Sequence, residues 1–178
     1  MKKGLMHVFT WILGVSLVTM SCKKDENPQN EEQPKNIVEI AQSKPDFSIL
    51  VQALTRSDLS VNFVEVLSGP GPFTVFAPTN AAFQALLTEL SINSLNDIPA
   101  PVLEAVLTYH VVAGNFRSNM LTNGQVVTTL NSGTFTVNTQ AGVTITDANN
   151  RVANVTQADI VASNGVIHVI DKVILPNL

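Results

Sequence analysis

His110 and His168 are the two histidines that lie beyond the first 20 residues, and their surroundings decide what chemistry they could support. Histidine is the side chain best suited to proton transfer or metal binding near neutral pH. His110 lies in "LTYHVV", directly after Tyr109, and His168 lies in "VIHVI". Apolar neighbours at both positions predict burial, and a buried neutral imidazole needs hydrogen-bond partners for its ring nitrogens. We therefore expect both histidines to have structural roles.

The acids and hydroxyls that could join these histidines do not form a catalytic or metal-binding pattern. Asp159 and Asp171 are the nearest acidic candidates, but no histidine pair has ligand spacing such as His-x-x-x-His. Ser163 lies in the turn-forming sequence "ASNG", and no Gly-x-Ser-x-Gly nucleophile motif occurs. The other acids are spread thinly, without a pair that would share one cleft. We expect no catalytic residue, no metal site and no cofactor.

The charge balance argues against a nucleic-acid partner. The chain has 10 Lys and Arg residues against 14 Asp and Glu, a formal net charge of −4. Phosphate backbones are bound by clustered basic side chains. Here the basic residues are scattered, so partners other than nucleic acid are expected.

Residues 1–21 are predicted to be a signal peptide. Lys2 and Lys3 form a short basic start, and a mostly apolar stretch follows over residues 5–20. This stretch is shorter than the roughly 20 residues that a bilayer-spanning helix needs. Secretion, not membrane spanning, is the interpretation that these features favour.

The signal segment ends beside Cys22, the one cysteine of the chain. Ser21 is the small residue that cleavage requires, and Cys22 follows it. This junction resembles the lipobox of bacterial lipoproteins, with Thr19 where leucine is usual, and it predicts acylation of Cys22. Two or more acyl chains would give stable membrane anchoring. An ordinary signal peptide with an incidental cysteine is the alternative.

Residues 22–36 are predicted to be the acylated cysteine and a flexible tether. The sequence "KKDENPQNEEQPKN" has no large apolar side chain, and it mixes charges, amides and two prolines. The start "CKKDE" resembles the acidic signal that sends some Bacteroidota lipoproteins to the outer surface. We expect a domain held at the cell envelope, anchored to the outer membrane and exposed at the cell surface.

Residues 37–178 are predicted to form one domain, and its first half favours helices. Phe47, Leu50 and Leu54 have the spacing of one helix face. Three other segments show the same pattern: "NIVEIAQS", "NFVEVLSG", which ends at Gly69, and "PAPVLEAVLTYH".

The second half, after about residue 110, favours strands. Phe135 and Val137 alternate with threonine, as do Val143 and Ile145, so each strand should bury one face. Five segments separated by turns have this character: "QVVTTL", "GTFTVNT", "GVTITDA", "RVANVTQ" and "GVIHVIDKVIL". The last is apolar almost throughout and should be buried on both faces. We expect an α+β fold, with helices packed on a mainly antiparallel β-wedge or flattened barrel.

A strand, a turn and a helix are predicted within "GPFTVFAPTNAAFQALLTEL". Val75 and Phe76 would point to opposite sides of the strand, and Pro78 would end it. Thr79 is a good helix N-cap. The helix would have one apolar face, formed by Phe83, Leu86, Leu87 and Leu90.

Three segments together resemble the fasciclin domain family. "FTVFAPTNAAF" is similar to the family's first signature, and "LTYHVVAG" is similar to its Tyr-His motif. "ADIVASNGVIHVIDKVILP", residues 158–176, is similar to its C-terminal signature. The order and spacing agree over essentially all of residues 37–176. The resemblance implies helices around a wedge of strands, and adhesion or extracellular binding in place of catalysis.

The resemblance also implies candidate contact residues. In some animal members, integrin binding maps to the Tyr-His region and to an Asp-Ile pair before the last strand. The matching residues here are Tyr109, His110, Asp159 and Ile160. For this chain we expect the partner to be an extracellular protein, matrix or polysaccharide, with membrane contact through the lipid anchor only.

Three further residues belong to the signatures as structural positions: Thr79, Asn80 and His168. The family commonly has aspartate where this chain has Asn80, so a charge is absent but hydrogen-bonding capacity remains. The resemblance places the partner of His110 near the turn of Pro78, Thr79 and Asn80.

The sequence therefore predicts a non-enzymatic cell-envelope lipoprotein with one fasciclin-like domain for adhesion or non-covalent recognition. The alternative is a carrier of a small apolar ligand built on the same fold. A carrier would need an enclosed apolar cavity.

Overall fold

The structure, a computed structural model, describes residues 34–177. The predictions for residues 1–21 and Cys22, and for most of the tether at 22–36, lie outside the described residues. Five α-helices occur in the described chain: α1 (Ile37–Ser43), α2 (Ser48–Leu54), α3 (Phe63–Ser68), α4 (Asn80–Glu89) and α5 (Ala100–Tyr109). Short 3-10 turns cover Pro45–Phe47, Leu95–Asp97 and Ser118–Met120.

Local signals account for the helix boundaries. Asn36 and Glu39 form a capping box at the start of α1, each side chain bonding the other residue's backbone N–H. The Thr79 hydroxyl accepts a hydrogen bond from the N–H of Ala82, which confirms the N-cap predicted for α4. Helix α3 ends at Gly69, as predicted.

The described strands form one sheet in the order β2-β1-β7-β6-β5-β4-β3. They are β1 (Phe73–Pro78), β2 (Val111–Ala113), β3 (Gln125–Thr128), β4 (Thr134–Asn138), β5 (Thr144–Thr146), β6 (Val152–Ala162) and β7 (Gly165–Ile170). Strands β1 and β7 are parallel, and the other neighbours are antiparallel. This confirms the α+β prediction. The sheet is open, although the N–H of Leu130 bonds the carbonyl of Val111 at 2.8 Å beside the edge strands β3 and β2.

Three strands differ from the prediction. Strand β2 was not predicted, because its three residues directly follow a helix. Strand β6 extends to Ala162, well beyond "RVANVTQ", because a bulge near Asp159 lets it continue pairing with β7 after a register shift. Strand β7 ends at Ile170 and does not continue through "DKVIL", although its six residues are all buried as expected.

The central strands separate two apolar cores. Val75 and Ala77 of β1 face the larger core, which the helices cover, whereas Phe76 faces a smaller core that it shares with side chains of β3, β4 and β5. Strand β7 divides in the same way, with Val169 in the larger core and Ile170 in the smaller. Within residues 34–177, no helix is long and apolar enough to cross a membrane.

Candidate functional site

The Tyr-His motif lies where α5 meets β2. Helix α5 ends at Tyr109, His110 is its C-cap, and β2 begins at Val111. The Tyr109 ring packs in the smaller core, whereas His110 lines a cavity in the larger core. The two polar side chains therefore enter different cores from adjacent positions.

Tyr109 is completely buried, and its hydroxyl group has two backbone partners. It donates to the carbonyl of Thr134 at 2.6 Å and accepts from the N–H of Ala148 at 3.2 Å. Its ring meets Phe135 edge to face. Burial raises the pKa of the Tyr109 phenol. A Cβ at Gly133 would lie 2.9 Å from the Tyr109 ring, so this position requires glycine's small size.

His110 is 3% exposed and has a backbone partner on each ring nitrogen. Its Nδ1 lies 2.7 Å from the carbonyl of Val106, and its Nε2 accepts from the N–H of Ile174 at 3.2 Å. The partners assign the neutral tautomer with the proton on Nδ1. The predicted partner in the Pro78–Asn80 turn is therefore wrong, because the ring is directed toward the preceding helical turn and the C-terminal chain.

Burial is also what controls the titration of His110. Removal from water lowers its pKa to about 4, against the opposing effects of the Val106 carbonyl and the charge of Asp147. A neutral ring is required by the geometry as well, because a proton on Nε2 would face the N–H of Ile174.

The C-terminal segment (Val173–Pro176), which His110 contacts at Ile174, is also bound by Asp147. Its Oδ2 accepts from the N–H of Leu175 at 2.9 Å, and its Oδ1 accepts from the N–H groups of Asn149 and Arg151. The Asn149 side chain in turn donates to the carbonyls of Leu175 and Pro176. Asp147 is only 4% exposed, so this carboxylate is a buried structural acid that the sequence pattern did not reveal.

Asn80 connects the start of α4 to the start of α2 and to Pro45, which precedes it. Its Oδ1 accepts from the N–H of Ile49 at 2.9 Å, and its Nδ2 donates to the carbonyl of Pro45 and the hydroxyl of Ser48, both at 2.9 Å. The amide thus uses an acceptor and two donors. An aspartate would keep the acceptor but lose the bond to Pro45.

His168 lies at the centre of the sheet and is completely buried. It pairs in register with Phe76 of β1, and the two rings stack with centroids 5.3 Å apart. Its Nε2 lies 2.8 Å from the carbonyl of Phe116, and its Nδ1 faces the N–H of Asp159 at 3.4 Å. His168 therefore joins β6 to the segment that follows β2.

Asp159 attaches the same segment from the surface. It lies at the bulge of β6 with a positive φ of 58°, which turns its side chain toward Ser118. Both carboxylate oxygens bond Ser118, one to its N–H at 2.8 Å and the other to its hydroxyl. Partial burial alone would raise the pKa of Asp159, but the Ser118 bonds and the charge of Arg117 lower it below its ordinary value.

The four candidate contact residues are thus divided by exposure. Tyr109 and His110 are buried, so any effect of theirs on binding acts through the shape of the surface. Asp159 and Ile160 are partly exposed. Val161, next in the chain, is 56% exposed. Of the four residues, only Asp159 and Ile160 are therefore accessible from solvent.

The cavity beside His110 is too small for a carried ligand. Its volume is about 20 Å³, close to that of one water position. Sites for small molecules usually measure roughly 300–1,000 Å³. The described residues also contain no group of three or more His, Cys, Asp or Glu that could hold a metal ion.

Asn164 is a second structural residue that the sequence pattern did not reveal. Its Oδ1 accepts from the N–H of Ile37 at 3.0 Å, and its Nδ2 donates to the carbonyls of Leu67 and Gly69. The β6–β7 turn thereby holds both the start of α1 and the end of α3. The only signal in the sequence is the turn-forming "SNG", which does not identify these partners.

Comparison with known proteins identifies the domain. The family model described as Fasciclin domain matches residues 45–176. An uncharacterized protein of Synechocystis, sll1735, is 43% identical over 140 residues, which cover 79% of this chain and 97% of that protein. The cell surface glycolipoprotein MPB83 of Mycobacterium bovis is 30% identical over 161 residues, covering 83% of this chain and 67% of MPB83.

A solved structure agrees with the fold. A FAS1 domain pair from the insect cell adhesion molecule Fasciclin I superposes with a TM-score of 0.64 at 19% identity. The match covers 81% of this chain and 51% of that chain. At this level of identity the likeness concerns the fold alone.

Proposed function

The chain belongs to the fasciclin domain family, and we propose that it is a cell-envelope lipoprotein that uses this domain for adhesion or non-covalent recognition outside the cytoplasm. Fasciclin domain proteins are non-enzymatic adhesion and surface proteins. The proposal adds the anchor, the location and the role of this particular domain.

The observation that carries the proposal is the similarity to MPB83, whose name describes a cell surface glycolipoprotein. The similarity spans 83% of this chain, so it concerns essentially the whole domain. A surface lipoprotein with the same domain is the arrangement that residues 1–36 independently predict.

The anchor in this proposal is Cys22. Cleavage after Ser21 would leave Cys22 as the acylated N-terminus, and the polar residues up to 36 would connect it to α1. The sequence "CKKDE" after cleavage supports the outer membrane, with the domain at the cell surface, as the location.

The buried arrangement of the Tyr-His motif supports recognition by a preformed surface. The side chains of Tyr109, His110 and His168 are bonded to backbone groups on distant segments. Asp159 has both oxygens bonded to Ser118. These bonds fix the shape of the surface before a partner arrives. Binding to such a preformed surface avoids part of the entropy cost of ordering side chains and loops.

The anchoring test compares cells that produce the wild type, Cys22→Ala or Ser21→Ala. The wild type should incorporate radiolabelled palmitate, fractionate with the outer membrane and be cleaved by protease added to intact cells. Cys22→Ala should lose the label and the membrane association. Ser21→Ala is the matched control, because it keeps a small residue and the cysteine. Equal labelling of Cys22→Ala would refute lipidation at this residue.

The adhesion test uses the same strains on extracellular matrix protein and polysaccharide coatings. Wild-type and Ser21→Ala cells should adhere more than cells without the protein, and Cys22→Ala cells should not. Equal adhesion of wild-type and Cys22→Ala cells, with the Cys22→Ala protein absent from the surface, would overturn the adhesion role.

A further inference from the structure

The outward side of β3, β4, β5 and the start of β6 forms a surface of unusual composition. Alternate residues of these strands fill the smaller core, including Val127, Phe135, Ile145 and Ala153. The residues between them point outward. We call this surface the neutral face; its residues are Val126, Thr128, Thr134, Thr136, Asn138, Thr144, Thr146, Val152 and Asn154.

Strand register aligns these side chains in rows across the sheet. One row consists of Val126, Thr136, Thr146 and Val152, which are successive cross-strand partners. The next row consists of Asn138, Thr144 and Asn154. Neighbouring side chains lie about 4.8 Å apart along a row, and about 6.7 Å separates rows on the same strand. The result is a regular array of hydroxyl, amide and methyl groups.

Several hydroxyl groups of this array are available to a ligand. Four threonine side chains make no hydrogen bond to any of residues 34–177: Thr128, Thr134, Thr136 and Thr144. Val126 is 64% exposed at one end of its row. Each threonine hydroxyl both donates and accepts, so the face offers both functions at several positions.

The composition of the neutral face limits the partners that it fits. Strands β3, β4 and β5 contain no charged residue and no exposed aromatic ring, in a chain of net charge −4. The carboxylate bonded to the edge of the face is that of Asp171, which Asn154 holds through its N–H and its amide. An anionic polymer would therefore find no opposite charge on these strands. Protein interfaces are enriched in Tyr, Trp, Phe, Met and Arg, none of which this face presents.

We propose that the neutral face binds an uncharged polysaccharide, an inference that rests on the proposed adhesion function and names its partner class. Sugar hydroxyls both donate and accept, which matches the threonine and asparagine groups. The methyl groups of the threonines, with Val126 and Val152, contact the C–H surfaces of the sugar rings. A repeating polymer meets a repeating array, so several weak contacts form together.

The direct test is affinity electrophoresis of the purified domain in gels that contain hydroxyethylcellulose, dextran, galactomannan or, as an anionic comparison, polygalacturonate. A neutral polysaccharide should retard the wild type. The double variant Thr136→Val with Thr144→Val keeps shape and strand preference but removes two of the hydroxyls that have no partner in the fold, and it should bind roughly tenfold more weakly. Thr88→Val on α4 is the matched control and should bind as the wild type does.

The outcomes separate this inference from the proposed function. Absence of retardation in all three neutral gels, or equal retardation of the wild type and the double variant, would overturn the polysaccharide site. Cells that adhere through the protein, but whose adhesion is unchanged by the double variant and by added neutral polysaccharide, would retain the adhesion function and exclude this site. Adhesion that Thr136→Glu abolishes but neutral polysaccharide does not inhibit would indicate a protein partner and also overturn the inference. Unfolding temperatures of all variants establish that each is folded.

Discussion

The imidazole Nε2 of His110 accepts a hydrogen bond from the backbone N–H of Ile174, 64 residues later in the chain, at 3.2 Å. The other ring nitrogen bonds the carbonyl of Val106, one helical turn earlier. The histidine of the Tyr-His motif thus connects the end of α5 to the C-terminal segment. These two backbone contacts explain why a histidine is buried in an apolar stretch, and they require no catalytic role for it.

Replacement of His110 by alanine should lower the free energy of unfolding by about 1–3 kcal/mol, because the buried N–H of Ile174 and carbonyl of Val106 lose their partner. Urea denaturation measures this change. Lys172→Ala, an exposed change near the same segment, should cost less than about 0.5 kcal/mol. Unchanged stability of His110→Ala with loss of binding would instead favour direct recognition by this residue.

Stability should fall as the pH falls from about 6.5 to about 4, the pKa of folded His110. In this window the unfolded chain binds a proton at His110 and the folded chain does not, so protons favour unfolding. The loss should reach at most about 3 kcal/mol and level off below pH 4. Urea midpoints across this range measure it.

Two comparisons isolate the contribution of His110. His110→Gln cannot titrate and should show a smaller pH dependence over the same range. Asp159, whose pKa is lowered, keeps its full stabilising contribution above its ordinary pKa near 3.8 and loses it only at lower pH. An NMR titration midpoint of His110 near 6.5 in the folded domain would contradict the assignment.

Substitutions at Asn80 should separate the stability contributed by its amide oxygen, an acceptor, from that contributed by its amide nitrogen, a donor. Asn80→Ala should cost about 1–3 kcal/mol, because the N–H of Ile49 loses its acceptor. Asn80→Asp should cost less than about 1 kcal/mol, since it keeps that acceptor and adds a negative charge at the start of α4. Thermal and urea unfolding at pH 7 compare the two. If the aspartate variant were as unstable as the alanine variant, the bond to Pro45 would be the dominant one.

Asp159→Ala should loosen the segment that follows β2, because Ser118 loses both bonds to the carboxylate. Arg117 precedes Ser118 and is exposed, so limited trypsin digestion reports on this segment directly. Cleavage after Arg117 should become about tenfold faster, as expected when roughly 1.4 kcal/mol of local stability is lost. Asp171→Ala is the control with an exposed carboxylate elsewhere. An unchanged cleavage rate would show that other contacts hold the segment.

Local signals were sufficient to predict much of the fold. The N-cap at Thr79, the end of α3 at Gly69 and the alternation of Phe135 and Val137 depend on neighbours within a few residues, and the structure agrees at each. The apolar run through Ile170 likewise predicted a strand buried on both faces. Such features follow from spacing because each element needs an apolar side and suitable ends.

The partners of the site residues could not be predicted in this way. His110 bonds Ile174, Asp147 bonds Leu175, and Asn164 bonds Ile37, and each pair is brought together only by the tertiary fold. Composition indicated that His110 would be buried and bonded but did not identify the atoms. Asp147 and Asn164 stand in turn-forming sequences, where a solvent-exposed role is usual, so burial was not expected.

The position of β7 has a consequence for how this chain is made. Strand β7 is the last strand of the described residues, yet it pairs with β1 on one side and β6 on the other. The sheet therefore lacks the strand that joins β1 to β6 until all the other described strands have been synthesised. A chain that crosses a membrane unfolded, as the proposed signal peptide requires, benefits from this delay, because premature folding would obstruct passage. In the proposed exported lipoprotein, this internal strand would therefore complete the sheet only after the other described strands had been exported.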